Sequence, residues 1–373
     1  MDEDAAHVLL TADAVGGVWQ YATGLAAELA GEGYRVTLAV MGPAPDAGQR
    51  RCLDRASGVT LIETGLPLDW LCADAAEAAA AAAGLARLVR EVGADLLHCN
   101  SPALVGAVPF PVPVVAAAHG CPATWWRAAR GPAPVDPALR WHGDLMRRGL
   151  AAADAVIAPS ASFAASLQAT YGLPQPPMVV HNGCAPAPAP PAEAHRLHAA
   201  LSVGRMWDPV KNAALLDAAA ALCDLRFLAA GPLRGPHGET ARFAKVVALG
   251  PVSGECLAEL FALRPILVSP ATFEPFGLAV LEAAAAGCAL VLSDIPTFRE
   301  LWDGAALFAD PRDPASFAAA ITRLDTAPDL RWQLGEAAHA RSLRFSTGAT
   351  ARGIMAVYRG LLAGRLIGQE VAA

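Results

Sequence analysis

Pro265-Ile-Leu-Val-Ser269-Pro-Ala-Thr-Phe-Glu274-Pro-Phe-Gly277-Leu-Ala-Val-Leu-Glu282-Ala-Ala-Ala-Ala-Gly287 runs through an apolar stretch, a turn and a helical length in succession. A short run rich in Ile, Leu and Val between turn residues reads as a buried strand, and the Leu/Ala stretch after it reads as a helix. Outward from this unit the pattern repeats. Leu201-Ser-Val-Gly204 and Arg226-Phe-Leu-Ala-Ala-Gly231 precede it, and Ala289-Leu-Val-Leu-Ser293 follows, with helical lengths between. The first half of the chain has the same alternation. Val8-Leu-Leu-Thr11, a helix from about Trp19 to Ala30, Arg35-Val-Thr-Leu-Ala-Val40, Asp95-Leu-Leu-His98 and Val112-Pro-Val-Val-Ala116 come in turn. Strands alternating with helices predict βαβ units, so the fold class is α/β, with two Rossmann-like, doubly wound parallel-sheet domains facing across a cleft.

The whole chain agrees. Its 373 residues exceed one ordinary core, and 54% hydrophobic against 17% charged residues suit a globular protein. A formal charge of −7 leaves no broad cationic surface for a phosphate backbone, so nucleic acid is not an expected partner. The start, Met1-Asp-Glu-Asp4, is acidic where a secretory signal is basic, and prolines break the uncharged stretch from Pro102 to Ala118. The expectation is a cytoplasmic protein with no transmembrane segment. The eight cysteines are scattered without the two-residue spacing of zinc or redox sites, which predicts reduced, mostly buried thiols. Between the halves, His181-Asn-Gly-Cys-Ala-Pro-Ala-Pro-Ala-Pro-Pro191 concentrates turn residues and marks a domain boundary. Ala73 to Ala86 reads as an ordinary alanine-rich helix.

Several chemistries are absent. The two lysines, Lys211 and Lys245, are not followed by Ser or Thr, so there is no Walker A loop. No strand leads into G-x-G-x-x-G; Gly16-Gly17 with Gly24 has the wrong spacing. No G-x-S-x-G elbow occurs, and the D-x-D arrangement Asp2-Glu-Asp4 sits in a tail ahead of the first strand.

What remains is a constellation suited to a phosphorylated ligand. Pro275 suits the first turn of a helix, and Gly277 removes a side chain there, leaving the amides around Phe276 to Leu278 open to an anion. Glu282 is a carboxylate in an otherwise apolar helix and needs partners that ribose hydroxyls would supply. Glu274 at the helix mouth would accept hydrogen bonds from a sugar. The plain alternative is that Glu274 caps the helix and Glu282 pairs with an arginine. Gly204-Arg205-Met-Trp-Asp-Pro-Val-Lys211-Asn212 adds a guanidinium fork and a point charge for phosphate oxygens, to neutralise a leaving nucleoside diphosphate.

Gly-Arg…Lys-Asn followed by Glu-Pro-Phe-Gly-Leu-x3-Glu resembles the donor domain of retaining glycosyltransferases of family 4, which have the GT-B fold. The resemblance extends over Gly16-Gly17-Val18, His98, His119-Gly120, Ala158-Pro-Ser160, Asn182-Gly183 and Gly250-Pro-Val-Ser253. It implies that Gly16 and Gly17 approach donor phosphates and acceptor, that His119 sits at the reaction centre, and that Val252 lies beside the nucleobase. It also implies a metal-independent enzyme without cofactor, whose donor is a nucleoside diphosphate sugar. The catalytic set is then His119, Glu274, Arg205 and Lys211. The donor-binding set is Gly16, Gly17, Arg205, Lys211, Val252, Glu274, Phe276, Gly277, Leu278 and Glu282. The implied domains are an acceptor domain over 1–181, a donor domain over 182–345, and a C-terminal helix and tail over 346–373. The chain departs from the pattern in two places. The gap from Arg205 to Lys211 is one residue longer than is most usual, and Phe345-Ser-Thr347 stands where Phe-Ser-Trp is frequent.

The activity so implied is transfer of a hexose-type sugar to a hydroxyl of a glycan, glycolipid or small molecule, with configuration retained. Same-face attack, with the departing phosphate taking the acceptor's proton, fits the lack of an obvious nucleophile among the acceptor-side motifs. A sugar-nucleotide epimerase or a phosphorylase on the same fold is the nearest alternative, and a non-catalytic sugar-binding protein a further one. Trp125-Trp126-Arg127, Arg130, Arg140-Trp141 and Arg147-Arg148 mix aromatic and cationic groups that suit a sugar or lipid-linked acceptor or a peripheral membrane contact, and equally a loop anchored by tryptophans beside a solvated basic face.

Overall fold

The computed structural model describes residues 5–53, 58–131, 133–185, 197–236 and 238–372, with the backbone alone at 52, 53 and 364–372. The acidic Asp2 to Asp4 segment, the Cys52 thiol and residues 186–191 of the proline-rich stretch lie outside the described residues. Two compact units result. The first takes in residues 1–127, 132–183 and 347–373, the second 128–131 and 184–346.

The sheet of the first unit is built from β1 (His7–Asp13), β2 (Arg35–Met41), β3 (Val59–Glu63), β4 (Leu96–Cys99), β5 (Val114–Ala117), β6 (Ala155–Ala158) and β7 (Met178–Val179). All pairings are parallel, in the order β3-β2-β1-β4-β5-β6-β7. Val8, Leu9 and Leu10 are fully buried, which is why β1 is a continuous apolar run and not an alternating one. The helix Gly17–Gly31 buries Trp19, Tyr21, Ala22, Leu25, Ala26 and Leu29, one apolar stripe at helical spacing. The C-terminal helix Thr347–Ala372 joins the same core through Ala351, Ile354, Met355, Val357 and Tyr358. Small residues let it come close. A Cβ on Gly353 would stand 3.0 Å from Val180 Cγ1, and Thr347 Oγ1 donates to Glu28 Oε1 at 2.7 Å.

The second unit holds β8 (Ala199–Val203), β9 (Arg226–Ala230), β10 (Val247–Gly250), β11 (Ile266–Ser269), β12 (Leu290–Ser293) and β13 (Leu307–Ala309), again parallel, in the order β10-β9-β8-β11-β12-β13. Between β9 and β11 the expected helical length is the helix Gly254–Ala262, and the strand β10 ahead of it was not among the runs read from the sequence. After β9, Gly231-Pro232 and Gly235-Pro236 keep the chain out of a helix, and Arg234 and Thr240 form an isolated antiparallel bridge. The alanine-rich stretch forms the helix Ala75–Val92, capped by Asp74 and ended by left-handed Gly93.

In each sheet the order of strands reverses once, between β1 and β4 and between β8 and β11. Side chains that follow those strands therefore gather where the crossovers diverge.

Candidate active site

At the reversal point of the second unit, β8 runs into Gly204 and Arg205. A Cβ on Gly204 (φ 152°) would stand 3.5 Å from Lys211 Cε, so the lysine stem lies over the glycine that precedes the arginine. On Gly231 (φ 131°) a Cβ would be 1.9 Å from the Gly204 carbonyl oxygen, so glycine is required there. Asp208 caps the 3-10 turn Pro209–Lys211 by accepting from Val210 N at 3.2 Å, and its other oxygen accepts from Arg205 Nη2 at 2.9 Å. The Asp208 side chain is 1% exposed and that of Arg205 41%, so a buried carboxylate steadies a guanidinium that still faces solvent. The segment from Arg205 to Lys211 thus contains an Asx turn at Asp208. Trp207 lies 5.4 Å from the guanidinium carbon.

Asn212, left-handed at φ 59°, closes the loop by donating from Nδ2 to the carbonyls of Pro270 at 3.1 Å and Pro311 at 2.9 Å. Thr272 N donates to Val210 O at 2.8 Å. These bonds tie the loop after β8 to the loop after β11 and bring Lys211 Nζ to 2.5 Å from Glu274 Oε2.

The helix Leu278–Ala285 begins one residue after Gly277, whose φ of 94° turns the chain into it, and no side chain caps its N-terminus. Pro275 stands ahead of this helix and not in its first turn, because the left-handed step at Gly277 has to come before helical geometry begins. Phe276 is buried edge-on against Phe345, with ring centroids 5.8 Å apart, and fixes the mouth of the helix. Leu278 packs partly buried on the same core. Neither plain alternative for the glutamates is met. Glu274 is paired with Lys211, and Glu282 has no hydrogen-bond or ion-pair partner among the described residues. Burial pushes the Glu282 carboxyl up to about 7 although part of it reaches the surface. Val252 is partly buried beside Ser253, which caps the helix Gly254–Ala262 through Cys256 N.

The reversal point of the first unit is uncharged. Gly16 precedes the helix in extended conformation (φ −154°), with nothing within 4 Å of where a Cβ would be, and Gly17 is the first helical residue. His119 follows β5, and its Nε2 lies 2.8 Å from Asn100 Oδ1. Asn100 Nδ2 donates to Thr11 O, so its oxygen faces the histidine and the imidazole proton sits on Nε2. Nδ1 is then left as an acceptor. The Tyr21 ring lies 4.4 Å from the His119 ring. Burial lowers His119 to about 4, although the residue is only half-buried. His98 is fully buried, between Tyr21 Oη at 3.2 Å from Nε2 and Tyr358 Oη at 2.6 Å from Nδ1. Burial, with a smaller contribution from the charge of His119, lowers His98 to about 3.

Sequence reasoning missed Asp208, Asn100, Thr11, Tyr21 and Tyr358. Asp208-Pro209 carried a readable turn signal; the others become neighbours only through the sheet. The tryptophan and arginine cluster lies on the helices Pro122–Arg130 and Arg140–Ala152, with Arg127, Arg130, Arg140, Arg147 and Arg148 exposed and Trp125, Trp126 and Trp141 half-buried. Among the described residues no helix is long and apolar enough to cross a membrane, and no group of three His, Cys, Asp or Glu side chains is placed to hold a metal ion. The seven described cysteines are free thiols; Cys72, Cys99, Cys121 and Cys288 are buried, and Cys256 is exposed.

The family model described as Glycosyltransferase Family 4 matches residues 15–187, and that described as Glycosyl transferases group 1 matches residues 198–326. The chain belongs to the family 4 glycosyltransferases. Together the two matches take in both reversal points and most of the chain. A D-inositol 3-phosphate glycosyltransferase of Acidothermus cellulolyticus is 35% identical over 122 residues, 32% of this chain and 27% of its own length. An O-antigen chain mannosyltransferase of Salmonella typhimurium is 36% identical over 85 residues, 23% of this chain and 24% of its own length. The chain thus spans about a quarter of the length of these curated relatives. Solved structures show the GT-B fold over nearly the whole chain. Sucrose-phosphate synthase of Thermosynechococcus elongatus superposes with a TM-score of 0.77 at 21% identity, covering 96% of this chain and all of that one. The Anabaena protein HepE, solved with UDP-glucose, gives 0.72 at 18% identity, covering 95% of this chain and all of that one.

Proposed function

We propose that the chain moves a hexose-type sugar from a nucleoside diphosphate sugar to a hydroxyl acceptor, with retention of configuration and without a metal ion. The observation that carries the reading is the gathering of Arg205, Lys211 and the uncapped helix N-terminus at Leu278 at one reversal point, with Glu274 paired to Lys211 and Glu282 one turn into that helix. Two cations and a helix N-terminus suit a diphosphate whose charge grows as the sugar bond breaks. In the ligand-free state Lys211 is held by Glu274. A phosphate oxygen drawing Lys211 away would free Glu274 to accept hydrogen bonds from the sugar, and ribose hydroxyls would satisfy Glu282. The acceptor hydroxyl attacks the anomeric carbon from the face the diphosphate leaves. The new bond forms as the old C–O bond breaks, and the hydroxyl proton passes to the departing phosphate. His119 orients the sugar or the acceptor through Nδ1.

Similarity to a protein solved with UDP-glucose, and to an inositol phosphate glycosyltransferase and a mannosyltransferase, supports a nucleotide-sugar donor and a glycan, glycolipid or small-molecule acceptor. The exposed arginines with half-buried tryptophans support a sugar or lipid-linked acceptor, with contact to a membrane surface; liposome flotation tests the latter.

The test is incubation with UDP-, GDP- and ADP-sugars in chelator, with and without a mixed acceptor panel, followed by nucleoside diphosphate release and NMR of the product's anomeric centre. Acceptor-dependent release with a retained anomer is expected. An inverted anomer, a donor altered without acceptor, or a trapped glycosyl-enzyme adduct would overturn the reading.

A further inference from the structure

Tyr358 lies in the C-terminal helix, 260 positions from His98, yet the two side chains meet inside the first unit. Tyr358 and His98 are both fully buried and Tyr21 is 4% exposed. The Tyr358 hydroxyl is 2.6 Å from His98 Nδ1, and the rings stand edge to face at 79°. The other His98 nitrogen meets the Tyr21 hydroxyl at 3.2 Å, and the Tyr21 ring packs 4.4 Å from His119 at 60°. We infer that Tyr358 is a positioning residue for His119, acting through His98 and Tyr21, so that the C-terminal helix sets the orientation of the reactive-side imidazole.

A neutral imidazole has one donor and one acceptor nitrogen, so one tyrosine hydroxyl donates to His98 and the other accepts from it. Both His98 nitrogens are matched inside a buried core, and such a chain fixes ring angles that an apolar trio would leave loose. Burial keeps His98 neutral, since its proton affinity falls to a pKa of about 3. His119 is held on its other side by Asn100 and Thr11, so Tyr21 is the face against which its ring is set. The groups facing His119 are Tyr21, His98 and Asn100; Tyr34 stands behind Tyr358, with ring centroids 6.2 Å apart. Inspection of the motif after β5 would assign the setting of His119 to its own loop. The geometry assigns part of it to the last helix.

The inference rests on the reading of His119 as a reaction-centre group, but its first test needs no sugar. Long-range proton–nitrogen NMR of histidine side chains in the ligand-free protein reads the tautomer and titration of His119. Tyr358→Phe and Tyr21→Phe each keep the ring and delete the hydroxyl. In both, the His119 resonances are expected to shift and its titration midpoint to rise from near 4 towards the ordinary imidazole value, as water gains access. The transfer kcat is expected to fall about tenfold with donor KM unchanged, and the double variant to lose no more than either single one. If Tyr358→Phe does not fold, Tyr21→Phe carries the same test. Unchanged His119 resonances in a folded variant, or additive losses in the double variant, would overturn the inference. A shifted His119 in a protein that transfers no sugar from any donor would leave the inference standing and defeat the proposed function.

Discussion

The two reversal points share a topology and differ in chemistry. In the second unit Arg205, Asp208, Lys211, Glu274 and Glu282 make a charged, partly exposed site in which each cation already holds a carboxylate. In the first unit two uncharged, largely buried hydrogen-bonded sets, Tyr358–His98–Tyr21 and His119–Asn100–Thr11, meet where the Tyr21 ring packs on His119. Ion pairs whose cations still reach water can be exchanged for a phosphate that supplies the replacement charge, whereas a buried neutral network holds one geometry. The contrast teaches that one layout serves both a site that trades charges with its ligand and a site that fixes a ring.

Removing a cation from the charged site is expected to give the largest effect. Lys211→Ala takes a charge from the transition state and strands Glu274, and should lower transfer by roughly 10²- to 10³-fold; a loss below threefold in steady-state rates would break the contrast. Acid should damage the neutral network next. The His98 and His119 rings bind a proton in the unfolded chain below pH 6.5, but in the folded protein not until about 3 and 4. Stability is therefore full above pH 6.5 and declines as the pH falls towards 4, by up to about 1.4 kcal/mol per group per pH unit. Urea unfolding at pH 7 and pH 5 measures this.

Glu282 runs the opposite way. Its folded value of about 7 lies above the 4.5 of the free side chain, so its contribution is present below pH 4.5 and lost as the pH rises towards 7. Glu282→Gln should stabilise the ligand-free protein at pH 8 by about 2 kcal/mol. Thermal melts of the two proteins without ligand check it. The smallest contrast is between glycines. Gly277→Ala meets a φ of 94° and a Cβ 3.2 Å from Phe298, and should cost about 1–2 kcal/mol. Gly16→Ala meets open space in extended backbone, so only the poorer N-cap counts against it and the loss should be smaller, about 0.5 kcal/mol. Equal shifts in the two would erase this distinction.

Much of the fold was legible because apolar runs such as Val8 to Thr11 and Ile266 to Ser269 are buried on both faces and so cannot hide their character. The charged site was legible for a related reason: carboxylates and cations next to strand ends stand out against an apolar background. The start of the helix after β11 was misplaced by three residues, because proline is a common first residue and the left-handed step at Gly277 leaves no mark beyond the glycine itself. The edge strand β10 went unread, because Val247-Ala-Leu-Gly250 is a short run and is largely exposed at the edge of the sheet. The neutral network stayed hidden because tyrosine and histidine are ordinary core residues, and only sheet order and the last helix bring Tyr21, His98 and Tyr358 together.

The central claim is that the charged reversal point holds the diphosphate of a nucleotide sugar. Isothermal titration of UDP, GDP and ADP in chelator, into wild type, Arg205→Ala and Glu282→Ala, tests it most directly. The account predicts that one nucleotide binds wild type selectively and that each substitution weakens it by tenfold or more; no binding of any nucleotide, or equal affinity in all three proteins, would contradict it.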